Sequence, residues 1–269
     1  MRLRQVALVA KDLEATTQSL GRLLGIDYGY DDPGVRTFGL GNWVAAIGDT
    51  FLEVVAPVEE RTTAGRQLER RGGDGGYMVI LQAPHLEAAK TRIEQGGARI
   101  VWNARGESEG GESTEGLHIH PRDCGGAILS IDESKPPSAW VWAGPEWQQH
   151  DSSFLSQISG VEIQSSDPAA MAQRWSELIG TAVSKGQAPD ARRAWLIDFD
   201  ADNPDSSKRG LIRFVNDENG RGDGVSAFDV EVRSTEGLAA AVNQLGSSLE
   251  RGEDDAAWVD EAGVRVFFL

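Results

Sequence analysis

The chain has 269 residues, which is long enough for one large domain or two ordinary domains. Its residues are 40% hydrophobic and 25% charged, a composition typical of globular proteins. Its formal net charge of −16 argues against binding to nucleic acid or to an anionic membrane surface, because both require a positively charged surface. Cys124 is the only cysteine, so no disulfide can form within the chain, and a reducing compartment is expected. The apolar run at residues 6–10 is too short for a signal peptide or a membrane span, and we predict a cytoplasmic protein.

The first unit of the chain, residues 3–58, begins with a predicted strand at residues 5–10. The following segment, LEATTQSLGRLLG, has leucines at helical spacing. Asp12 stands where a helix N-cap is expected, and Gly25 stands where a left-handed C-cap is expected. Three short strands are predicted after the helix, at residues 35–40, 43–47 and 51–55. The unit therefore has the order β-α-β-β-β.

A polar segment, EERTTAGRQLERRGGDGG, separates this unit from a second one of the same order. A strand is predicted at residues 77–82, a helix in LEAAKTRIEQGG, another strand at residues 100–102, and two more in the hairpin GLHIHPRDCGGAILSID. Leu13 and Leu86 occupy matching places, each just after a strand and at the start of a helix. The β-α-β-β-β order is therefore an internal repeat.

The second half of the chain contains two further units of this kind. In the third unit, Asp167 and Pro168 are typical of a helix start, and the helix AAMAQRWSELIG follows a strand predicted at residues 161–164. The fourth unit begins at residue 227, has a helix in EGLAAAVNQLGSSL, and is shorter than the others. With two units in each half, we predict an N-terminal domain at residues 1–134 and a C-terminal domain at residues 158–269.

The predicted linker, residues 135–157, breaks the repeat. The dipeptides Pro136-Pro137 and Gly144-Pro145 are turn signals. Three tryptophans lie among and just after them: Trp140, Trp142 and Trp147. We predict that these side chains dock on the domains; an aromatic platform for carbohydrate is the alternative.

The hairpin of the second unit contains the most suggestive polar pair in the sequence. His118 and His120 are two residues apart on a predicted strand, so their side chains share one face. Two interpretations stay open, since the pair either lines a pocket or lies on a solvated face. Cys124 lies in the turn with no evident base beside it, and no nucleophilic role is assigned to it.

Several segments give the chain a resemblance to a known superfamily: QVALVAKDLEAT, GDTFLEVVAP, LERRGGDGGYMVIL and HIHPRDCGGAILSID. In these it resembles the vicinal oxygen chelate superfamily, which includes glyoxalase I, methylmalonyl-CoA epimerase, extradiol dioxygenases and bleomycin-resistance proteins. The last two segments are most similar to the epimerase-like branch. The resemblance implies an α+β fold of tandem βαβββ modules, paired into two glyoxalase-like half-open β-barrel domains.

The resemblance also implies a divalent metal held by the first and last strands of each module, commonly by His, Glu or Gln, His and Glu. Those places fall on Gln5, Glu53, Met78 (or Tyr77 if the register slips by one) and Ser130. A catalytic divalent site needs about three imidazole, carboxylate or thiolate ligands, so we predict neither a metal at this position nor a cofactor. In the second half the matching places, near Gly160, Arg213, Ala227 and Phe267, also offer no ligand set.

We predict that the N-terminal barrel binds a small organic molecule around Glu53 and the histidine strand. As a metal-independent isomerase or lyase it would use Glu53 as a base, with His120 as the acid beside His118. Arg122 or Arg36 would hold a substrate carboxylate. The other residues predicted to contact the substrate are Gln5, Trp43, Tyr77, Met78 and Ser130.

Three alternatives remain from the sequence. The first is a non-catalytic binding protein of the resistance or sequestration type, in which Trp43, Tyr77 and Met78 form an apolar wall. The second is a metal-dependent lyase or dioxygenase with a rearranged site, in which Glu53 is joined by His118 or His120. The third is a scaffold in which both barrels are degenerate. A homodimer is compatible with all of them.

Overall fold

The structure, a computed structural model, describes residues 1–199, 210–246, 248–252 and 256–269. Within these residues it is an α+β fold with two mixed sheets, one of seven strands and one of eight. Each sheet is built from two modules in which the first strand is followed by a helix and then by further strands. The predicted fold class of tandem βαβββ modules is therefore confirmed.

The first module begins at the N-terminus. Its elements are β1 (Arg2–Val9), α1 (Leu13–Leu24), β2 (Leu40–Ile47) and β3 (Thr50–Pro57). The side chain of Asp12 accepts a hydrogen bond from the backbone N–H of Ala15 at 3.0 Å, which caps α1. Gly25 ends the helix at φ 65°, a conformation that glycine adopts without steric cost. Both predicted caps are therefore confirmed.

One strand prediction for the first module was wrong. Residues 35–40 were predicted as a strand, but Pro33–Phe38 form a short 3-10 helix capped by Asp32, because proline fixes a helical φ and supplies no strand donor. Only Tyr30, bridged to Val44, takes the place of that strand. The sequence analysis assigned no structure to the polar segment after β3, where Thr63–Arg71 form α2 with Thr62 as its cap.

The second module contains the full set of strands. Its elements are β4 (Gly75–Gln82), α3 (Leu86–Gln95), β5 (Ile100–Glu107), β6 (Ser113–Ile119), α4 (Pro121–Cys124) and β7 (Ile128–Lys135). The turn of the predicted hairpin is thus a single helical turn between β6 and β7. Pro121 is its first residue, and His120 is its N-cap.

The strand order of the first sheet is β2-β3-β1-β4-β7-β6-β5. In each module the first strand lies parallel to the last, and the two modules meet where β1 runs antiparallel to β4. The register pairs Ala7 with Glu53 in the first module and Ile80 with Ser130 in the second. Glu53 and Ser130 therefore occupy equivalent places, and the sheet curves into a half-barrel around them.

The second sheet repeats this plan. Its third-module elements are β8 (Leu155–Ser165), α5 (Pro168–Ile179), β9 (Val183–Gln187), β10 (Arg193–Asp198) and β11 (Leu211–Asn216). Its fourth-module elements are β12 (Gly224–Val232), α6 (Thr235–Leu245), β13 (Glu250–Arg251), β14 (Ala257–Glu261) and β15 (Val264–Phe268). The strand order of this sheet is β13-β14-β15-β12-β8-β11-β10-β9. Asp167 caps α5 and Pro168 is its first residue, as predicted.

A continuous apolar core connects the two sheets. Helix α1 packs on α6, and α3 packs on α5. The buried cluster between them contains Leu23 and Ile93 from the first half of the chain and Trp175 and Phe228 from the second. Among the described helices, none has the length and apolar character needed to cross a membrane. The predicted domain limits at residues 134 and 158 stay a prediction.

The segment between the sheets packs back onto the first one. Trp140 is 1% exposed and stacks on Phe51, with ring centroids 5.8 Å apart. Trp147 contacts the edge of the same Phe51 ring at 5.0 Å. The predicted docking of these tryptophans is therefore confirmed. The alternative of a carbohydrate platform does not fit Trp140, which is buried.

Candidate functional site

A cavity of about 900 Å³ opens on the concave face of the first sheet. This volume suits a ligand of metabolite or drug size. Seven of the ten predicted site residues line it: Gln5, Glu53, Tyr77, Met78, His118, His120 and Arg122. Its apolar wall also includes Val35, Phe38, Val55, Ile80, Trp102, Ile128 and Trp142.

Glu53 lies at the base of this cavity on β3 and accepts hydrogen bonds on both carboxylate oxygens. The Gln5 side-chain amide donates to Oε2 at 2.9 Å, and the Asn42 amide donates to Oε1 at 2.7 Å. The other end of each amide is also bonded. The indole N–H of Trp140 donates to the Gln5 oxygen at 2.7 Å, and the backbone N–H of Asp32 donates to the Asn42 oxygen at 2.9 Å. Both amides are thereby fixed as donors toward Glu53.

Burial raises the pKa of Glu53 to about 7. Loss of hydration disfavours the charged carboxylate, and the amide donors of Asn42 and Gln5 partly offset this effect. The charge of Asp32, whose own pKa is raised mainly by burial, also contributes. Near neutral pH, Glu53 therefore exists in both protonation states, which is what a general base working at that pH requires.

Replacing Trp140 by phenylalanine is expected to raise the pKa of Glu53 further. Without the indole N–H, the amide of Gln5 can rotate and present its oxygen to Glu53, which favours the protonated carboxyl. A hydrogen bond to a charged group contributes about 1.5–3 kcal/mol, so the rise is expected to be about one pKa unit or more. Carbon-13 NMR titration of labelled glutamate carboxyls measures it. Trp147→Phe is the matched control, because Trp147 contacts the same Phe51 ring but bonds to neither Gln5 nor Asn42. An equal rise of the Glu53 pKa in both variants would contradict the prediction.

Asp132 is a second buried carboxyl in the cavity, and the sequence interpretation missed it. It lies on β7, and burial raises its pKa to about 7. The Ser130 hydroxyl donates to one of its oxygens at 2.5 Å, and the Trp142 indole N–H donates to the other at 2.8 Å. The signal was present in the strand ILSIDESK, where Ser130 and Asp132 alternate and must share a face. The module comparison drew attention only to Ser130.

The two histidines both reach the cavity, although only His118 lies within a strand. Burial lowers the pKa of His118 to about 4, so its imidazole is neutral at physiological pH. His120 follows the end of β6, and its Nδ1 accepts a hydrogen bond from the backbone N–H of Arg122 at 3.1 Å. In the neutral ring the proton is therefore on Nε2. The geometry leaves His120 able to donate, while His118 carries no charge.

Three arginine side chains line the cavity, which also has the carboxylates of Asp32, Glu59 and Glu60 in its wall. Arg61 lies in the turn just before α2, Arg66 lies within α2, and Arg122 comes from α4. The guanidinium groups of Arg61 and Arg122 make no ion pair within the part of the chain that the structure describes. Arg61 also has a φ of 63°, a left-handed conformation that is strained for a residue with a side chain. These groups favour an anionic ligand.

Three predicted substrate contacts lie away from the cavity wall. The side chain of Arg36 is more than half exposed and pairs with Asp31 at 2.7 Å. Trp43 packs against the core and lies over the backbone of Gly29, because alternate residues of β2 face opposite sides of the sheet. Ser130 is fully buried and acts through its hydrogen bond to Asp132.

A family profile described as a glyoxalase-like domain matches residues 6–179, which is more than half of the chain. The chain belongs to this glyoxalase-like family. The resemblance to the vicinal oxygen chelate superfamily, drawn from the sequence, is confirmed.

Similar proteins place limits on what the glyoxalase-like family implies. Mitochondrial methylmalonyl-CoA epimerase from Bos taurus is 22% identical over 133 residues, which are 49% of this chain and 74% of the epimerase. A variant of 4-hydroxymandelate synthase from Streptomyces coelicolor has a TM-score of 0.69 and 11% identity, covering 99% of this chain and 91% of the synthase. The Mn(II)-bound glyoxalase from Novosphingobium aromaticivorans has a TM-score of 0.61 and 12% identity, covering 99% of this chain and 81% of the glyoxalase. At such low identity the two structures establish the fold and leave the substrate open.

The residues at the metal position of the superfamily do not fit a divalent ion in this glyoxalase-like chain. Gln5 turns its amide nitrogen, and not its oxygen, toward Glu53, and the Ser130 hydroxyl is engaged by Asp132. The thioether of Met78 is a soft ligand that suits few divalent ions. Within the described ranges, no three His, Cys, Asp or Glu side chains are grouped so that they could hold a metal ion. The rearranged site with Glu53 and His118 or His120 thus lacks a third ligand of these types there.

The equivalent part of the second glyoxalase-like sheet is filled by paired charges. The buried guanidinium of Arg213 forms an ion pair with Asp229 and also lies 3.5 Å from Glu162. Glu162 accepts further bonds from Arg192 at 2.9 Å and from Ser226 at 2.9 Å. The neighbouring cavity is about 410 Å³ and is mostly polar. This sheet holds no buried carboxyl comparable to Glu53 among the residues described.

Proposed function

We propose that this protein binds a small organic anion in the cavity of the first sheet. There it moves a proton at a carbon next to a carbonyl group, as an isomerase or a lyase, with Glu53 as the base. The observation that carries the proposal is Glu53 itself, a buried carboxyl with a pKa of about 7 that lines a ligand-sized cavity. A general base is most effective when its pKa lies near the working pH.

The arrangement around Glu53 supports a base rather than a structural acid. A buried carboxyl normally finds a cationic partner, because an unpaired one is costly. Glu53 has two neutral amides instead, which stabilise its charged form without cancelling the charge. Tyr77 lies close enough for the charge of Glu53 to add to burial in raising the tyrosine pKa to about 12. Its hydroxyl is thus a neutral donor for a substrate oxygen.

The anionic nature of the ligand rests on the arginines. A net charge of −16 repels anions at long range, so unpaired guanidinium groups in one cavity favour a ligand that carries its own negative charge. Arg122 can bind a carboxylate through two parallel hydrogen bonds. The bovine relative is by name an epimerase acting on a carboxylated acyl thioester, and its 22% identity makes it a guide to the reaction class only.

A non-catalytic binding protein is the second candidate. The apolar wall favours it, with Met78 and Ile128 inside and an exposed aromatic pair, Phe38 and Trp102, in edge-on contact at 5.0 Å. Such a wall holds a flat ligand whether or not the ligand reacts. Recovery of an unchanged ligand after long incubation would favour this candidate.

The ligand class is tested by thermal stabilisation. We expect pyruvate, phenylpyruvate, acetoacetate or the propionyl thioester of N-acetylcysteamine to raise the melting temperature, and anionic compounds to do so more than neutral analogues. Arg122→Gln should weaken the anions about 10-fold or more, because a hydrogen bond to a charged group is worth about 1.5–3 kcal/mol. Arg105→Gln is the control, since Arg105 is exposed and pairs with Glu107 on β5. Equal weakening by both substitutions would place the ligand elsewhere.

A further inference from the structure

Asp132 is a buried acid that proton abstraction by Glu53 alone does not use. It faces the same cavity from the other module, on β7, and is 2% exposed. No arginine or lysine pairs with it among the described residues. A carboxyl without a cation in such a place is costly to keep, which points to a use.

The hydrogen-bond partners of the two carboxyls differ in kind. Glu53 is bonded by two amides that can only donate to it, because their own oxygens are already occupied by Trp140 and by the backbone of Asp32. The two donors stabilise the ionised form of Glu53, and each of its oxygens keeps a second lone pair that can receive a proton. Its surroundings suit a proton acceptor.

Asp132 has surroundings that tolerate a proton. The hydroxyl of Ser130 can either donate to Asp132 or accept from it, because a hydroxyl rotates to suit its partner. The indole N–H of Trp142 donates to the other oxygen and fixes the carboxyl plane in either state. This side chain is suited to act as a neutral acid.

Removing a proton from carbon requires a group that receives the resulting charge. The electron pair of the broken C–H bond forms a C=C bond, and the carbonyl oxygen takes up negative charge. A buried, protonated carboxyl is a known kind of donor to such an oxygen. In this cavity the residues at the superfamily's metal position do not fit an ion. A protein side chain must therefore stabilise the negative charge on the carbonyl oxygen.

We propose that Asp132, in its protonated form, is the acid that stabilises and protonates this oxygen, held for that role by Ser130 and Trp142. The proposal rests on the proposed function of Glu53 as the base. In the forward step the Glu53 carboxylate takes the carbon-bound proton, and the Asp132 carboxyl gives its proton to the carbonyl oxygen, which yields an enol. In the return step the enol gives its oxygen-bound proton back to Asp132, and Glu53 returns a proton to carbon. The cycle consumes no other reagent.

The mechanism predicts a bell-shaped pH profile. Activity needs Glu53 ionised and Asp132 protonated, and both groups titrate near pH 7, so the maximum should lie there with tenfold falls per pH unit on either side. Other titratable and charged groups also face this cavity. They are Asp32, Glu59, Glu60, Arg61, Arg66, Tyr77, His118, His120 and Arg122.

The test uses D132N in the full chain. The amide is isosteric, and it can accept from Trp142 and donate to Ser130, so the fold should survive. Exchange of carbon-bound hydrogen for solvent deuterium is followed by NMR with phenylpyruvate, acetoacetate and the propionyl thioester of N-acetylcysteamine. We expect the rate to fall at least about 100-fold. The alkaline fall of the pH profile should vanish, because the remaining group is Glu53.

Two further variants separate the outcomes. Glu133→Gln removes the next carboxylate on β7, whose partners lie on the other face, and should leave rate and profile unchanged. Ser130→Ala should slow exchange while keeping both limbs of the profile. If D132N keeps the alkaline limb or exchanges as fast as the wild type, the role of Asp132 is overturned and Glu53 remains the base. If the wild type exchanges no compound that it binds, the proposed function fails, and this inference fails with it.

Discussion

Replacing Glu53 by glutamine is expected to lower the rate of deuterium exchange by about 10²–10⁴-fold, the contribution that general-base catalysis typically makes. The amide cannot take a proton from carbon, while the cavity and its arginines stay in place. In the wild type, exchange should fall tenfold per pH unit below pH 7, because the pKa of Glu53 is about 7 and only the ionised form is active. The acid limb should disappear from the small residual rate of E53Q.

The control for this prediction is Glu14→Gln, which removes an exposed carboxylate from the first turn of α1. It should leave the rate unchanged and lower the melting temperature only slightly, because a carboxylate in the first turn of a helix stabilises it by about 0.3–1 kcal/mol. In E53Q the new amide nitrogen must face the donating amide of either Gln5 or Asn42, so the variant is expected to lose some stability. Its melting temperature must therefore be measured together with the exchange rate. A folded E53Q that exchanges at the wild-type rate would show that the base is another residue.

Local sequence signals predicted most of the fold. Asp12 and Gly25 delimit α1 by themselves, since a capping carboxylate and a left-handed glycine act within a few residues of the helix end. The matching places of Leu13 and Leu86 then revealed the repeat. The exception, residues 35–40, shows the limit of this reasoning: an apolar pattern suggested a strand, but Pro33 and the Asp32 cap favoured a 3-10 helix.

The candidate site was predictable only in part, because its decisive bonds join residues far apart in the sequence. Glu53 stood out as a carboxylate in an apolar strand, and it does line the cavity. The bond from Trp140 to Gln5 spans 135 positions, and no pattern within a strand or helix could indicate it. The tryptophans were predicted to dock on the domains, but the sequence did not indicate that Trp140 and Trp142 would orient the groups around Glu53 and Asp132.

The two histidines were predicted to lie on one strand, but only His118 does. Two residues on one strand share a face, yet β6 ends at Ile119, and His120 caps the next helical turn. Both side chains still line the cavity, as do Pro121 and Arg122 of the turn. Asp132 was missed because the superfamily's metal position falls on Ser130, although Asp132 shares a face with it on the second strand of the hairpin.

The second sheet yields the other large expected effect, on stability. Replacing Asp229 by alanine should lower the free energy of unfolding by about 3–5 kcal/mol, because it leaves the buried charge of Arg213 without its main partner. Arg213 donates to Asp229 through two nitrogens, one of them at 2.7 Å. After the substitution, the acidic partner that remains to it among the described residues is Glu162 at 3.5 Å. Urea denaturation followed by tryptophan fluorescence measures the loss.

A matched control exists on the surface of the same sheet. Asp260 pairs with Arg265 at 3.1 Å but is 62% exposed, so Asp260→Ala should cost less than about 1 kcal/mol. The double replacement Asp229→Leu with Arg213→Met should recover much of the stability lost in Asp229→Ala, since removing both charges avoids the unpaired one. If the single and double variants were equally unstable, packing around Phe267 rather than charge pairing would hold this region together. If Asp229→Ala cost no more than Asp260→Ala, the charge network would be dispensable, and the second sheet could be redesigned as an apolar core.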